Sequence, residues 1–250
     1  MKTVLWNRKK SDNSEGCVIV ETKTYIMNSR QFEDEEAFAQ ALEVISPYRR
    51  QKIALLRHEN DKNRSLAAAL TLNAGLRNFA LEERMMEYDV GPQGKPQLRY
   101  YPEIRFSLSH SGDYAICSIG EEEIGNDIEW VREGKERVAE RFFAKEECAW
   151  IQNAASPEEK NERLFRIWTI KESFLKVTGL GMSLPLNAFT VTIENDGEIS
   201  LCHQLNSKTY YIKEYTLPKP CTYYETIDYK IALCSESPSF ALEPEVVSLP

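Results

Sequence analysis

The chain has 250 residues, of which 42% are hydrophobic, 28% charged and 10% aromatic. That is enough apolar sequence for one large domain or two small ones with real cores, and it excludes a disordered tail, a collagen and a disulfide-stapled miniprotein. The net charge is −8, unevenly spread: residues 1–118 hold 17 Lys and Arg against 16 Asp and Glu, residues 119–250 hold 14 against 23. An acidic chain is a poor general binder of nucleic acid, whose affinity comes from backbone phosphates, but it leaves room for a local basic pocket. No stretch reaches the roughly 18–20 apolar residues of a membrane helix. The opening MKTVLWNRKKSDNSEG lacks an apolar run of signal-peptide length. The expectation is a soluble, cytoplasmic protein with neither nucleic acid nor membrane as partner. Cys17, Cys117, Cys148, Cys202, Cys221 and Cys234 form no C-x-x-C pair and no zinc spacing, so they read as small core residues.

In chain order, residues 17–26 read as a strand. Residues 33–45 carry Ala37, Phe38, Ala41, Leu42 and Ile45 at helical spacing. Ser46-Pro47 then starts a second helix, roughly 47–57, and residues 61–81 form a third. GPQGKPQLRYYP (91–102) is turn-rich and without periodicity. A β-meander follows: IRFSLS (104–109), a turn at 111–113, YAICSIG (114–120), a short loop, and IGNDIEWV (124–131). Helices return at 135–151 and 159–177, and strands at 188–193, 198–202, 209–215 and 229–235. The order suggests two α+β halves, 1–119 and 120–237, with 238–250 as a surface tail.

Asp127 and Glu129 lie two apart on a strand, so their carboxylates share a face about 6–7 Å apart, close enough to converge on one cation. An exposed strand face carries such pairs equally well. On the 159–177 helix, Trp168, Glu172 and Lys176 fall at i, i+4 and i+8 on one face, with Lys171 at its edge. A surface Glu172–Lys176 pair is the plainer reading of that helix alone. Residues 49–64 hold six Lys and Arg against two acids, Lys95 sits in a loop, and His110 ends a strand. Together, three carboxylates suit Mg²⁺, a hard cation that takes oxygen ligands and phosphates, and the bases suit several phosphate groups.

These segments resemble the surfactin-type (Sfp-like) 4′-phosphopantetheinyl transferases. The resemblance rests on FSLSHSGDYAICSIG, on Ile124-Gly125-Asn126-Asp127-Ile128-Glu129, on RFFAKEE, and on Trp168-Thr169-Ile170-Lys171-Glu172-Ser173-Phe174-Leu175-Lys176 some forty residues on. The segment SPYRRQKIALLRHENDKNRSLAAAL and the Gly94-Lys95-Pro96 element extend it, over about residues 46–193. One slot departs from the family: Asn126 stands where an apolar residue is usual, its side chain expected to point away from the metal face.

The resemblance implies a fold of two similar α+β lobes related by a pseudo-twofold, with coenzyme A at their interface. It implies transfer of phosphopantetheine from coenzyme A to a serine of an apo acyl, peptidyl or aryl carrier protein, releasing adenosine 3′,5′-bisphosphate. Asp127, Glu129 and Glu172 would hold Mg²⁺, or Mn²⁺ in its place. His110 and Lys176 would contact the pyrophosphate. Arg49, Lys52 and Lys95 would lie near the 3′-phosphate and adenine end, with Ser65 and Ser109 adding hydroxyls. Glu172 is the first candidate for the base, directly or through a water. Lys145 and the Gly179–Gly181 loop are candidates for docking an acidic carrier. The family places such enzymes in nonribosomal peptide and polyketide pathways, including antibiotic biosynthesis, and the chain is expected as a monomer. Two other readings use the same residues: a Mg²⁺-dependent phosphohydrolase, and a non-catalytic module binding coenzyme A or a carrier.

Overall fold

A computed structural model describes residues 21–194, 196–218 and 228–249. The first half runs β1 (Lys23–Asn28), α1 (Glu35–Leu42), α2 (Pro47–Ala54), α3 (Glu59–Leu76), β2 (Tyr88–Val90), β3 (Pro96–Leu98), β4 (Arg105–Ser111) and β5 (Tyr114–Gly120). The second runs β6 (Ile124–Trp130), α4 (Glu136–Phe142), α5 (Lys145–Gln152), α6 (Pro157–Thr178), β7 (Thr190–Ile193), β8 (Ile199–Cys202), β9 (Tyr211–Tyr215), β10 (Tyr229–Ser235) and β11 (Glu245–Val246). Cys17, Cys221 and the start of the strand expected at 17–26 lie outside the described residues.

Local chemistry sets the helix ends. The Asp34 side chain accepts from the Ala37 amide at 2.8 Å and opens α1. Ser46 caps α2 and Pro47 fills its first turn. The helix expected through residue 81 stops at Leu76. The single helix expected over 135–151 is two: Phe143 turns into the core, and the Glu147 carboxylate accepts from the Ala144 amide at 2.8 Å to start α5. Gly179, at φ 69° in the left-handed region, ends α6. The stretch read as structureless contains β3, which pairs with β2 and buries Leu98. Three-residue strands are too short to show an alternation.

Two sheets make the frame of this α+β fold. One has the order β11-β1-β5-β4, the other β6-β10-β9. Their inner faces pack on one another through Ile26 and Ile116 from the first sheet and Ile128, Ile231 and Leu233 from the second. Period-2 alternation turns Met27, Ala115 and Cys117 outward, where α3 covers them with Leu66, Ala69 and Leu72. On the far side Ala232 and Cys234 meet Phe165 and Phe174 of α6. The layers are therefore helix, sheet, sheet, helix. The chain crosses from one sheet to the other at residues 121–123, between β5 and β6.

Residues 238–249 lie along the outer edge of the first sheet. Glu245 and Val246 pair in parallel with Tyr25 and Ile26, and the Val247 amide donates to the Ile26 carbonyl at 2.8 Å.

No helix among the described residues is long and apolar enough to cross a membrane.

Candidate active site at the meeting of two edge strands

β4 and β6 are edge strands of different sheets and lie against each other. Serines at alternate positions of β4 reach across. Ser107 Oγ accepts from the Asn126 amide at 3.0 Å, Ser109 Oγ donates to Asp127 Oδ1 at 2.6 Å, and Ser111 Oγ donates to Glu129 Oε2 at 2.9 Å. The face of β6 that carries Gly125, Asp127 and Glu129 lies under α6. A Cβ at Gly125 would overlap the Ser173 carbonyl and the Val177 amide of that helix. Glycine lets helix and strand touch, which brings Glu172 and Lys176 against Asp127.

The three expected acids share this face, but their oxygens are unequally engaged. Asp127 is buried, and its Oδ1 also accepts from Lys176 Nζ at 2.8 Å. Its Oδ2 is buried with no hydrogen-bond partner. Glu129 Oε1 accepts from Trp168 Nε1 at 3.0 Å and Lys135 Nζ at 3.1 Å, so both its oxygens are held. Glu172 is half-buried, and no donor among the described residues bonds to it. Burial raises the Asp127 pKa against the opposing charge of Lys176. Burial, then the Asp127 charge, raises that of Glu172.

Among the described residues, no group of three His, Cys, Asp or Glu side chains is arranged to hold a metal ion as it stands. The ammonium groups of Lys176 and Lys135 occupy the carboxylates instead. The donor set nonetheless fits a hard cation. Asp127 Oδ2 is an orphaned buried acceptor, Glu172 has free lone pairs, and Mg²⁺ commonly takes one or two carboxylates and fills its remaining positions with water and substrate phosphates.

A cavity of about 450 Å³ opens beside these groups, and six of the expected site residues line it: Arg49, Lys52, Ser65, Ser109, His110 and Lys176. Arg49 and Lys52 come from α2, Ser65 from α3, Ser109 and His110 from β4, and Lys176 from α6. Arg49 is buried over the Tyr88 ring, with Nε 3.7 Å from the fully buried Glu83 carboxylate. That contact is an ion pair rather than a hydrogen bond, and Arg49 Nε and Nη2 have no hydrogen-bond acceptor. His110 stands exposed at the rim. The protein around its ring, then the charges of Arg64 and Lys176, hold its pKa below the ordinary histidine value. The rest of the basic run is spent elsewhere: Arg50 pairs with Glu43, Lys62 with Glu59, and Arg64 with Asp61.

Lys95 does not join Arg49 and Lys52. Its ammonium donates to Glu123 and to the carbonyls of Ile124 and Lys176, tying the β2–β3 loop to β6 and the end of α6. It lines a neighbouring, more apolar cavity of about 230 Å³ with Phe106, Leu108, Leu175 and Lys176. Lys176 and Leu108 line both cavities.

Several groups escaped the sequence reading. Lys171 is not at the edge of a face but fully buried, donating to Glu147 and to the carbonyls of Leu186 and Phe189. Ser111 and Lys135 hold Glu129, together with Trp168, which helical spacing places on the face of Glu172 but without this partner. The serine stripe at 107, 109 and 111 is a period-2 pattern legible in the sequence; the partners of Lys171 lie too far along the chain to be.

Comparison with known proteins identifies the family. Residues 123–234 match the model of the 4′-phosphopantetheinyl transferase superfamily. The 4′-phosphopantetheinyl transferase Sfp of Bacillus subtilis (strain 168) is 31% identical over 217 residues, covering 86% of this chain and 92% of that one. A second 4′-phosphopantetheinyl transferase of Bacillus subtilis is 30% identical, covering 78% and 84%. The psf-1 4′-phosphopantetheinyl transferase of Bacillus pumilus is 30% identical, covering 68% and 69%. The chain therefore belongs to the 4′-phosphopantetheinyl transferases, and is an enzyme of that family.

Proposed function

We propose that this enzyme transfers 4′-phosphopantetheine from coenzyme A to a serine hydroxyl of an apo carrier protein. The observation that carries the reading is the cavity in which Arg49, Lys52, His110 and Lys176 converge beside the buried carboxylate of Asp127. The phosphates of coenzyme A are the natural occupants of such a cationic cleft. Arg49 and Lys52 take the 3′-phosphate, with Ser65 beside them, and the apolar cavity behind Lys95 takes the adenine end. His110 and Lys176 take the diphosphate.

In the reaction the serine oxygen bonds to the β-phosphorus of coenzyme A. The bond from that phosphorus to the bridging oxygen breaks, and adenosine 3′,5′-bisphosphate leaves with the electron pair. The hydroxyl proton passes to Glu172, the carboxylate with free lone pairs at the site. Lys176 and His110 lie where charge grows on the leaving phosphate and stabilise it. A Mg²⁺ held by Asp127, Glu129 and Glu172 would supply further neutralisation of that charge. The two lobes, 1–119 and 120–237, then each bring part of the site, and the carrier approaches past the Gly179–Gly181 loop and Lys145. Secondary-metabolic carriers, a cytoplasmic setting and a monomeric enzyme complete the proposal.

The test is purified protein with coenzyme A, Mg²⁺ and an apo carrier, read by mass spectrometry. A carrier gaining one phosphopantetheine, with no gain when Mg²⁺ is chelated, is the expected result. Cleavage of coenzyme A without a carrier product would overturn it. Dephospho-coenzyme A should be a poorer donor, and equal use of both would remove the 3′-phosphate role of Arg49 and Lys52.

A further inference from the structure

Asn126 lies in the apolar contact between the two sheets, fully buried on the strand that also carries Asp127. The neighbouring inward residue of its strand, Ile128, packs on Ile26 and Ile116. A side chain of leucine size would suit that environment better than an amide. Instead Asn126 makes a polar knot. Its amide nitrogen Nδ2 donates to the Ser107 carbonyl and to Ser118 Oγ, each at 3.0 Å. Its backbone amide donates to Ser107 Oγ at 3.0 Å. Ser118 Oγ in turn lies 2.9 Å from Thr24 Oγ1 of β1. The Asn126 carbonyl accepts from Lys176 Nζ at 2.8 Å. One residue thus joins β4, β5, β6 and the lysine of the cavity. Its Oδ1 is left buried without a partner, a cost that an apolar residue would not incur.

We propose that Asn126 is a positioning residue, which locks β6 in register against β4 and so sets Asp127 and Lys176 relative to the cavity formed from the other sheet. The inference rests on the transfer reading above. Its physical content is direction. An apolar contact between two edge strands lets them slide, whereas hydrogen bonds from one amide to both β4 and β5 fix the offset. Slippage would displace Asp127 from Ser109 and carry Lys176 with it. Arg49, Lys52 and Ser65 sit on α2 and α3 and would stay in place.

The experiment compares parent, Asn126→Leu, Asn126→Thr and Ser118→Ala in steady-state transfer, with thermal midpoints measured alongside. The parent is read first: failure to transfer would overturn the functional reading, and this inference with it. In a transferring enzyme, Asn126→Leu should lower kcat about tenfold while KM for coenzyme A stays within about twofold. Its midpoint should be no lower than that of the parent. Asn126→Thr, which keeps a donor toward Ser107, should recover part of kcat. Ser118→Ala, the milder change, should lower kcat by about threefold and serves if Asn126→Leu does not fold. Parental kcat in the folded variants, with only the midpoint moved, would overturn the proposal and leave Asn126 a plain core residue.

Discussion

Lys176 Nζ lies 2.8 Å from Asp127 Oδ1 and 2.8 Å from the carbonyl oxygen of Asn126. This ion pair spans 49 residues and joins α6 to β6, with Lys176 lining the cavity. The Lys176 side chain is 29% exposed, so its ammonium can turn from the carboxylate to an incoming phosphate without leaving a buried position. Against Asp127 it compensates a carboxylate that burial penalises. Lys176→Met should therefore lower kcat for transfer about 100-fold, the scale of losing one charge-stabilising donor. Steady-state kinetics on the folded variant check this, and a rate within threefold of the parent would count against it.

Gly125 governs how closely α6 approaches β6. A methyl group there would overlap backbone atoms of Ser173 and Val177, neither of which can rotate away. Gly125→Ala should cost roughly 1–3 kcal/mol through overpacking. It should also separate Glu172 from Asp127 and remove transfer activity. Thermal denaturation and the transfer assay read the two effects, and an unchanged midpoint would refute the close-contact account.

His110 supplies the pH dependence. Its pKa is lowered by the surrounding protein and then by Arg64 and Lys176. The unfolded chain therefore binds the proton more readily, and this residue's contribution to stability is lost as pH falls below about 6.5. Phosphate oxygens against the ring act in the opposite sense and favour the imidazolium. Binding of adenosine 3′,5′-bisphosphate should then take up a proton at His110, so its contribution to affinity grows as pH falls through about 6.5. Calorimetric titrations of the parent and His110→Gln across that range isolate the histidine from the ligand's own phosphate. Identical pH dependence in both proteins would exclude the contact.

The sequence carried the three seven-residue strands β4, β5 and β6 but not their arrangement: a continuous meander was expected, whereas β6 leaves the sheet of β4 and β5 and pairs with β10, a partner some hundred residues on. It also carried the turn of Asn126 away from the Asp127 face, which follows from strand alternation; that it turns inward between the sheets onto Ser107 and Ser118 did not. The grouping of Arg49, Lys52, Ser65, Ser109, His110 and Lys176 came from family resemblance rather than from spacing, since these residues lie on four separated elements. Lys95 fell outside that group because its ammonium is captured by Glu123 and two backbone carbonyls, acceptors that only the fold supplies. The edge pairing of Glu245 and Val246 with β1 depends on strand partners more than 200 residues away, beyond the reach of local pattern. Lys171 was misplaced for a related reason: helical spacing shows which residues share a face, but not that Glu147 and two carbonyls wait in the core to satisfy a buried ammonium.

On the proposed function, a divalent cation and the diphosphate of coenzyme A meet between β6, α6 and the Arg49 cavity. A crystal of the enzyme with coenzyme A and Mn²⁺, located by anomalous scattering, tests it most directly. The expected result is one Mn²⁺ peak ligated by Asp127, Glu129 and Glu172 together with phosphate oxygens, Lys176 turned onto the diphosphate, and neither the peak nor the turned lysine in Asp127→Ala. A nucleotide seated elsewhere, or a cation away from these carboxylates, would contradict the proposed function.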